Sequence, residues 1–183
     1  VSGAHAGAAL ASGIRSSVDA AALPEAKRTS LGLYLTPMDA AAALQADPSI
    51  VLLDVRDLIE IAFVGHPTPV DAIVPFEIAT HDFDETEGGV RMVPNTAFVA
   101  QVGHVLARQR LARDAPIFVM CRSGGRSAAA VNALAAAGYT NVWNLTEGFE
   151  GDKHSSGARA LNGWRNAGLP WTWRITREQA WTR

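Results

Sequence analysis

Cysteine is nearly absent from this chain, with one residue, Cys121, in 183. A single thiol excludes an internal disulfide, a CxxC redox pair and a cysteine-rich zinc site. It also leaves no second thiol in the chain to resolve a modified Cys121. An excess of one charge is lacking too. Sixteen Lys and Arg face eighteen Asp and Glu, for a net charge of −2 and a pI near 6.2, so nucleic acid is not an expected partner. No apolar run approaches the ~20 residues that span a bilayer, and no transmembrane segment is expected. The histidines His5, His66, His81, His104 and His154 show no metal spacing such as His-x-x-x-His. What the chain does have is 48% hydrophobic residues, enough for one proper core in one domain. It starts at Val1 rather than methionine, as a processed or trimmed form does. Compartment is left open between cytoplasmic and exported after signal removal.

Residues 1–30 are dominated by Ala, Ser and Gly and are expected to form an arm, loosely ordered or packed on the surface. The domain proper is expected over 31–183. Thr36-Pro37 is a helix start, hydroxyl as N-cap and proline in the first turn, opening a short helix over 38–46. Ile50 to Leu53 reads as a buried strand ending in Asp54-Val55-Arg56, followed by one or two helical turns over 57–64. Ala72 to Phe76 is expected to enter the sheet. Residues 77–93, with Asp82, Asp84, Glu85 and Glu87, read as a solvated, mobile excursion rather than a calcium loop. Helical periodicity returns over 95–111 through Phe98, Val102, Val105 and Leu106, with His104 on a flank. Beyond residue 140, Asn141 to Leu145 is a short strand, 152–160 a polar insertion, and 159–167 a final helix carrying Trp164. Trp171, Trp173 and Trp181 are expected to fasten the tail across the domain. Their alternative role is a patch for a protein partner.

The chemistry concentrates between these elements. Pro116 to Met120 is a continuous apolar run, the pattern of a strand buried on both faces. Ala128 to Ala137 is a helix pattern closed by Gly138. Between them stands Cys121-Arg122-Ser123-Gly124-Gly125-Arg126-Ser127. Amides at a helix start lack intrahelical acceptors and converge on an anion in the turn, and Gly124 and Gly125 let the backbone curl into a nest. Thiols in such a setting, beside Arg, titrate below the ~8.5 of a free thiol. Cys121 is therefore the expected nucleophile.

This loop resembles the active-site loop of the rhodanese (thiosulfate sulfurtransferase) family in its single-domain form. A second signature strengthens the resemblance: Asp54-Val55-Arg56, then Glu60, then Gly65-His66. Glu147-Gly148-Phe149-Glu150-Gly151 is similar to the family's closing glycine turn. The chain departs from the family at Pro67-Thr68-Pro69, where a tight-turn glycine is usual. The resemblance spans about residues 31–171. It implies a three-layer α/β fold, a mainly parallel sheet with helices on both faces. It also implies transfer of a sulfane sulfur from a small anionic donor such as thiosulfate to a thiol, cyanide or protein acceptor, through a persulfide on Cys121. Arg122, Ser123, Gly124, Gly125, Arg126 and Ser127 would bind donor and persulfide, and no cofactor or metal is implied.

Three other readings stand beside it. The chain could be a persulfide carrier or interaction module with little turnover. A cysteine-dependent phosphatase is the runner-up enzyme, although four residues rather than five separate Cys121 from Arg126. A serine hydrolase is excluded, because Ser123 lacks the glycine two residues earlier that a nucleophile elbow needs. Asp54, Arg56 and Glu60 read as a structural ion-pair network rather than an acid–base set, and His66 as a structural turn residue.

Overall fold

The computed structural model describes residues 13–180. After 3-10 turns at Ala20–Ala22 and Glu25–Lys27, the elements in chain order begin with β1 (Tyr34–Leu35), α1 (Pro37–Ala46), β2 (Val51–Asp54), α2 (Leu58–Val64), β3 (His66–Pro67) and β4 (Ala72–Ile73). They continue with β5 (Glu77–Asp84), β6 (Gly89–Pro94), α3 (Phe98–Arg108), β7 (Ile117–Met120), α4 (Gly125–Ala136), β8 (Val142–Leu145) and β9 (Trp171–Thr172).

Apolar strands without polar interruptions need cover on both faces, and the sheet supplies the place for it. Its order is β1-β8-β7-β2-β4, with every neighbouring pair parallel. In the register Val51 faces Ile117 and Asp54 faces Met120. Side chains then alternate between two cores. Val51, Leu53, Ile117, Val119 and Cys121 share one cluster with residues of α3 and α4. Leu52, Phe118 and Met120 share the other with Ala40 of α1, Ile61 of α2 and Trp164. The chain is thus a three-layer α/β fold with β7 at the centre and Cys121 at its carboxyl end.

Local chemistry sets the helix starts. Thr36 and Asp39 form a reciprocal capping box with Pro37 in the first turn of α1, and Asp57 and Glu60 form another on α2. Among the described residues no helix is long and apolar enough to cross a membrane.

Two expectations need correction. Residues 77–93 are not a mobile excursion, since β5 and β6 pair antiparallel from Glu77↔Pro94 to Asp84↔Gly89. Asp84 closes the turn by accepting from the amides of Thr86 and Glu87, so one of the carboxylates read as solvation serves the turn. The final helix over 159–167 is absent. Gly163 adopts a left-handed φ of 101°, and a Cβ there would meet Gly151 N at 2.5 Å, so the chain folds through turns that deliver Trp164 to the core. Where it is described, the arm packs against the domain surface. Ser17 donates to Asp39 twice, Ser30 N–H donates to Asn132, and the Glu25–Lys27 turn packs on α4. Residues 1–12 and Trp181 lie outside the described residues.

The tryptophan reading separates by burial. Trp164 is 1% exposed and its indole N–H donates to Pro170 O at 2.9 Å. Trp171 packs on Phe149 and Trp173, while Trp173 is 59% exposed. Trp164→Ala should lower stability by about 3–5 kcal/mol, and Trp173→Ala by under about 1 kcal/mol. Urea unfolding of the two variants measures the difference.

Candidate active site

The site begins where β7 runs out. The chain turns at Cys121, passes Gly124 at a left-handed φ of 99° and enters α4. Only glycine fits at position 124, because a Cβ would collide with the Thr146 carbonyl. That conformation swings the Gly124 amide back onto the cysteine, and its N–H donates to Cys121 Sγ at 3.2 Å. The sulfur thereby meets a main-chain donor at the N-terminal end of a helix. Cys121 is 1% exposed, more enclosed than a rim position. Arg122 is exposed, and Ser123, Gly125 and Arg126 are partly so.

A second turn supports the first. Phe149 N–H donates to Cys121 O at 2.8 Å, and the amides of Glu150 and Gly151 donate to Arg122 O at 3.0 and 3.2 Å. Gly148 permits this approach, since a Cβ there would lie 2.6 Å from both Cys121 O and Arg122 C.

Ser127 and Asn144 form the base of the loop. Asn144 Nδ2 donates to Lys27 O and to Gly124 O, each at 3.0 Å. Its Oδ1 is left as an acceptor and takes the Ser127 hydroxyl at 2.6 Å. Ser127 Oγ also lies 3.3 Å from Cys121 Sγ. A hydroxyl carries one proton, so the shorter bond to Asn144 competes with the bond to sulfur.

The two loop arginines differ. Arg126 is gripped by Glu60 at 2.7 and 3.0 Å, and Glu77 lies 3.7 Å from its Nε. Burial works against its charge, and Glu60 outweighs burial, so the guanidinium pKa is raised. Arg122 pairs with Glu150 at 2.8 Å and keeps a side chain 46% exposed. Below them, Arg56 and Asp54 make a fully buried pair at 2.6 Å, and Arg56 lies 4.4 Å from the centre of the Phe149 ring. Burial opposes the charge of Arg56, and Asp54 more than restores it. Buried His66 faces the Pro67 and Arg174 carbonyls at 2.8 and 3.0 Å, which ties β3 to the tail.

The structure brings Cys121, Gly124 and Ser127 together. Only the Gly124 amide reaches the sulfur within hydrogen-bond distance among those of the loop. Asp54 and Arg56 are structural, as anticipated, but Glu60 leaves that pair and holds the cysteine loop through Arg126. The contacts of Asn144 and Glu150 with the loop were missed. A polar residue inside the apolar strand Val142-Trp143-Asn144-Leu145 was the available signal for Asn144.

Comparison with known proteins gives this arrangement a family. The rhodanese-like domain matches residues 37–155, more than half of the chain. The chain belongs to the rhodanese-like domain family. The crystal structure of Rv0390 from M. tuberculosis is 34% identical with a TM-score of 0.59, over 76% of this chain and 96% of that one. Among curated proteins, the uncharacterized protein RP600 of Rickettsia prowazekii is 43% identical over 58 residues, 32% of this chain and 42% of its own. The thiosulfate sulfurtransferase GlpE of Tolumonas auensis is 37% identical over 46 residues, 25% of this chain and 43% of that protein. The chain spans less than half the length of these curated relatives. Sulfur transfer is thus supported for the rhodanese-like domain at the level of the family.

The Glu60–Arg126 clamp has a pH signature. Burial pushes the Glu60 carboxyl up, Arg126 outweighs it, and the net pKa falls below the ordinary 4.5. A carboxylate depressed on folding stabilises the native state above its ordinary value and loses that contribution as pH falls through the folded value. Glu60→Gln should therefore cost about 1–3 kcal/mol at neutral pH, with the gap to wild type closing as pH drops below 4.5. Urea unfolding of both proteins across that range measures it, and a gap independent of pH would contradict it.

Proposed function

We propose that this rhodanese-like domain is a sulfurtransferase that carries a sulfane sulfur on Cys121. The observation that carries the reading is the Gly124 N–H on Cys121 Sγ at 3.2 Å, at the carboxyl end of the central strand, where open α/β sheets hold ligands.

The Cys121 thiolate attacks the outer sulfur of a donor such as thiosulfate. A new S–S bond forms as the bond to the sulfonate breaks, and sulfite leaves with the electron pair. The enzyme keeps a persulfide whose outer sulfur bears the negative charge. A thiophilic acceptor (cyanide, a small thiol or a protein thiol) then takes that sulfur and returns the thiolate. Main-chain dipoles already aimed into the turn need little reorganisation as charge moves between the two sulfurs. Gly124 N–H supplies such a donor. With Cys121 enclosed, a donor reaches the sulfur over the rim formed by Arg122 and Ser123.

Arg126 supports the loop instead of receiving the donor, because Glu60 and Glu77 face its guanidinium nitrogens. The same commitment argues against the phosphatase reading, in which a free loop arginine must grip the phosphoryl oxygens. Arg122 gives only its Nε to Glu150 and stays half-exposed, so its terminal nitrogens meet an incoming anion.

Thiosulfate-to-cyanide turnover tests the proposal. Cys121→Ser should lower turnover by about a thousandfold or more with an unchanged far-UV circular dichroism spectrum. Wild-type turnover in that variant would overturn the assignment. A burst of one sulfur per chain followed by arrest would replace the enzyme with a carrier.

A further inference from the structure

The polar insertion at 152–160 doubles back on itself. His154 N–H donates to Ala158 O at 2.8 Å, Gly157 N–H to His154 O at 2.8 Å, and Lys153 bridges antiparallel to Arg159. The return sets Arg159 against the turn that supports the cysteine loop. Arg159 Nη1 donates to Gly151 O at 2.6 Å, and Gly151 N–H donates to Arg122 O at 3.2 Å. One residue therefore links Arg159 to the loop backbone. Asn166 Nδ2 holds the Arg159 carbonyl at 3.1 Å. The Nε of Arg159 is shielded from solvent and has no hydrogen-bond partner among the described residues.

The nearby carboxylates are committed elsewhere. Asp152 takes Lys27 at 2.7 Å and Asn162 at 3.1 Å. Glu150 takes Arg122 at 2.8 Å and Arg165 at 3.8 Å. Arg159 itself has no ion pair among the described residues. Burial first, and then the like charge of Arg122, lower the Arg159 pKa against the pull of Glu150, Asp152 and Cys121. An anion shared by Arg122 and Arg159 relieves their repulsion and supplies acceptors for unused guanidinium donors.

Resting on the sulfur-transfer reading, we propose that Arg159 is a specificity-determining residue. With Arg122 it seats the oxyanion end of a thiosulfate-class donor while the outer sulfur meets Cys121. The doubly charged donor with sulfonate oxygens is favoured over a donor of lower charge. Attack by the thiolate leaves one negative charge on the persulfide and releases two on sulfite, whose oxygens stay with the guanidinium groups until it departs.

Two measurements separate the seat from the chemistry. Calorimetric titration of thiosulfate into Cys121→Ser protein, which cannot form a persulfide, reads binding alone. Adding Arg159→Ala should weaken that affinity about tenfold, and Arg159→Lys should restore part of it. In the Cys121 protein, Arg159→Ala should slow persulfide formation from thiosulfate by a similar factor. Loading from singly charged methanethiosulfonate should change less than about threefold. Unchanged thiosulfate binding, or equal losses with both donors, would overturn the role of Arg159. Arginine-dependent binding without any persulfide on the Cys121 protein would keep the anion seat and sink the transfer reading.

Discussion

One main-chain contact organises the site: the amide of Gly124 on the sulfur of Cys121. It exists because residue 124 adopts a left-handed conformation, and that conformation is enforced by the Thr146 carbonyl packed where a side chain would stand. The converse contact holds from the other side, where Gly148 lets its turn close on the Cys121 and Arg122 backbone. Two glycines on two loops thus allow main chain to rest on main chain. The amides of Phe149, Glu150 and Gly151 bond the carbonyls of Cys121 and Arg122, while the Gly124 amide turns to the sulfur.

The charges around this core divide the work. Arg126 joins α2, β5 and the cysteine loop through Glu60 and Glu77, so its positive charge lies near the thiol while its side chain is immobilised. Arg56 with Asp54 fastens the end of β2 beneath the Phe149 turn. Such a buried pair is worth more as a geometric constraint than as net stability, because desolvation offsets much of the attraction. Arg122 gives its Nε to Glu150 yet stays half-exposed, and the Nε of Arg159 has no hydrogen-bond partner among the described residues, which are the features the proposed anion seat uses.

Much of the fold was legible in the sequence because its signals are local. The runs at 50–53 and 116–120 announce strands covered on both faces, and Thr36-Pro37 announces the start of α1. The cysteine loop was legible for the same reason: a glycine pair, flanking arginines and a following alanine-rich helix all lie within twenty residues of one another. What stayed hidden depends on contacts distant in sequence. Glu60 looks like a partner for Arg56 until α4 brings Arg126 within 2.7 Å. Asn144 acquires meaning only when β8 sets it beside Ser127. The β5–β6 hairpin carries so many carboxylates that solvation outweighed alternation in the reading. The helix expected near Trp164 failed because Gly163 must pack on the Glu150–Gly151 main chain.

The central claim is that Cys121, met by the Gly124 amide at the end of β7, accepts and keeps one sulfur. Intact mass of the wild-type protein after exposure to thiosulfate tests it most directly. The account predicts a gain of a single sulfur atom on Cys121, lost on addition of a thiol. An unchanged mass, with Cys121 still open to alkylation, would contradict it.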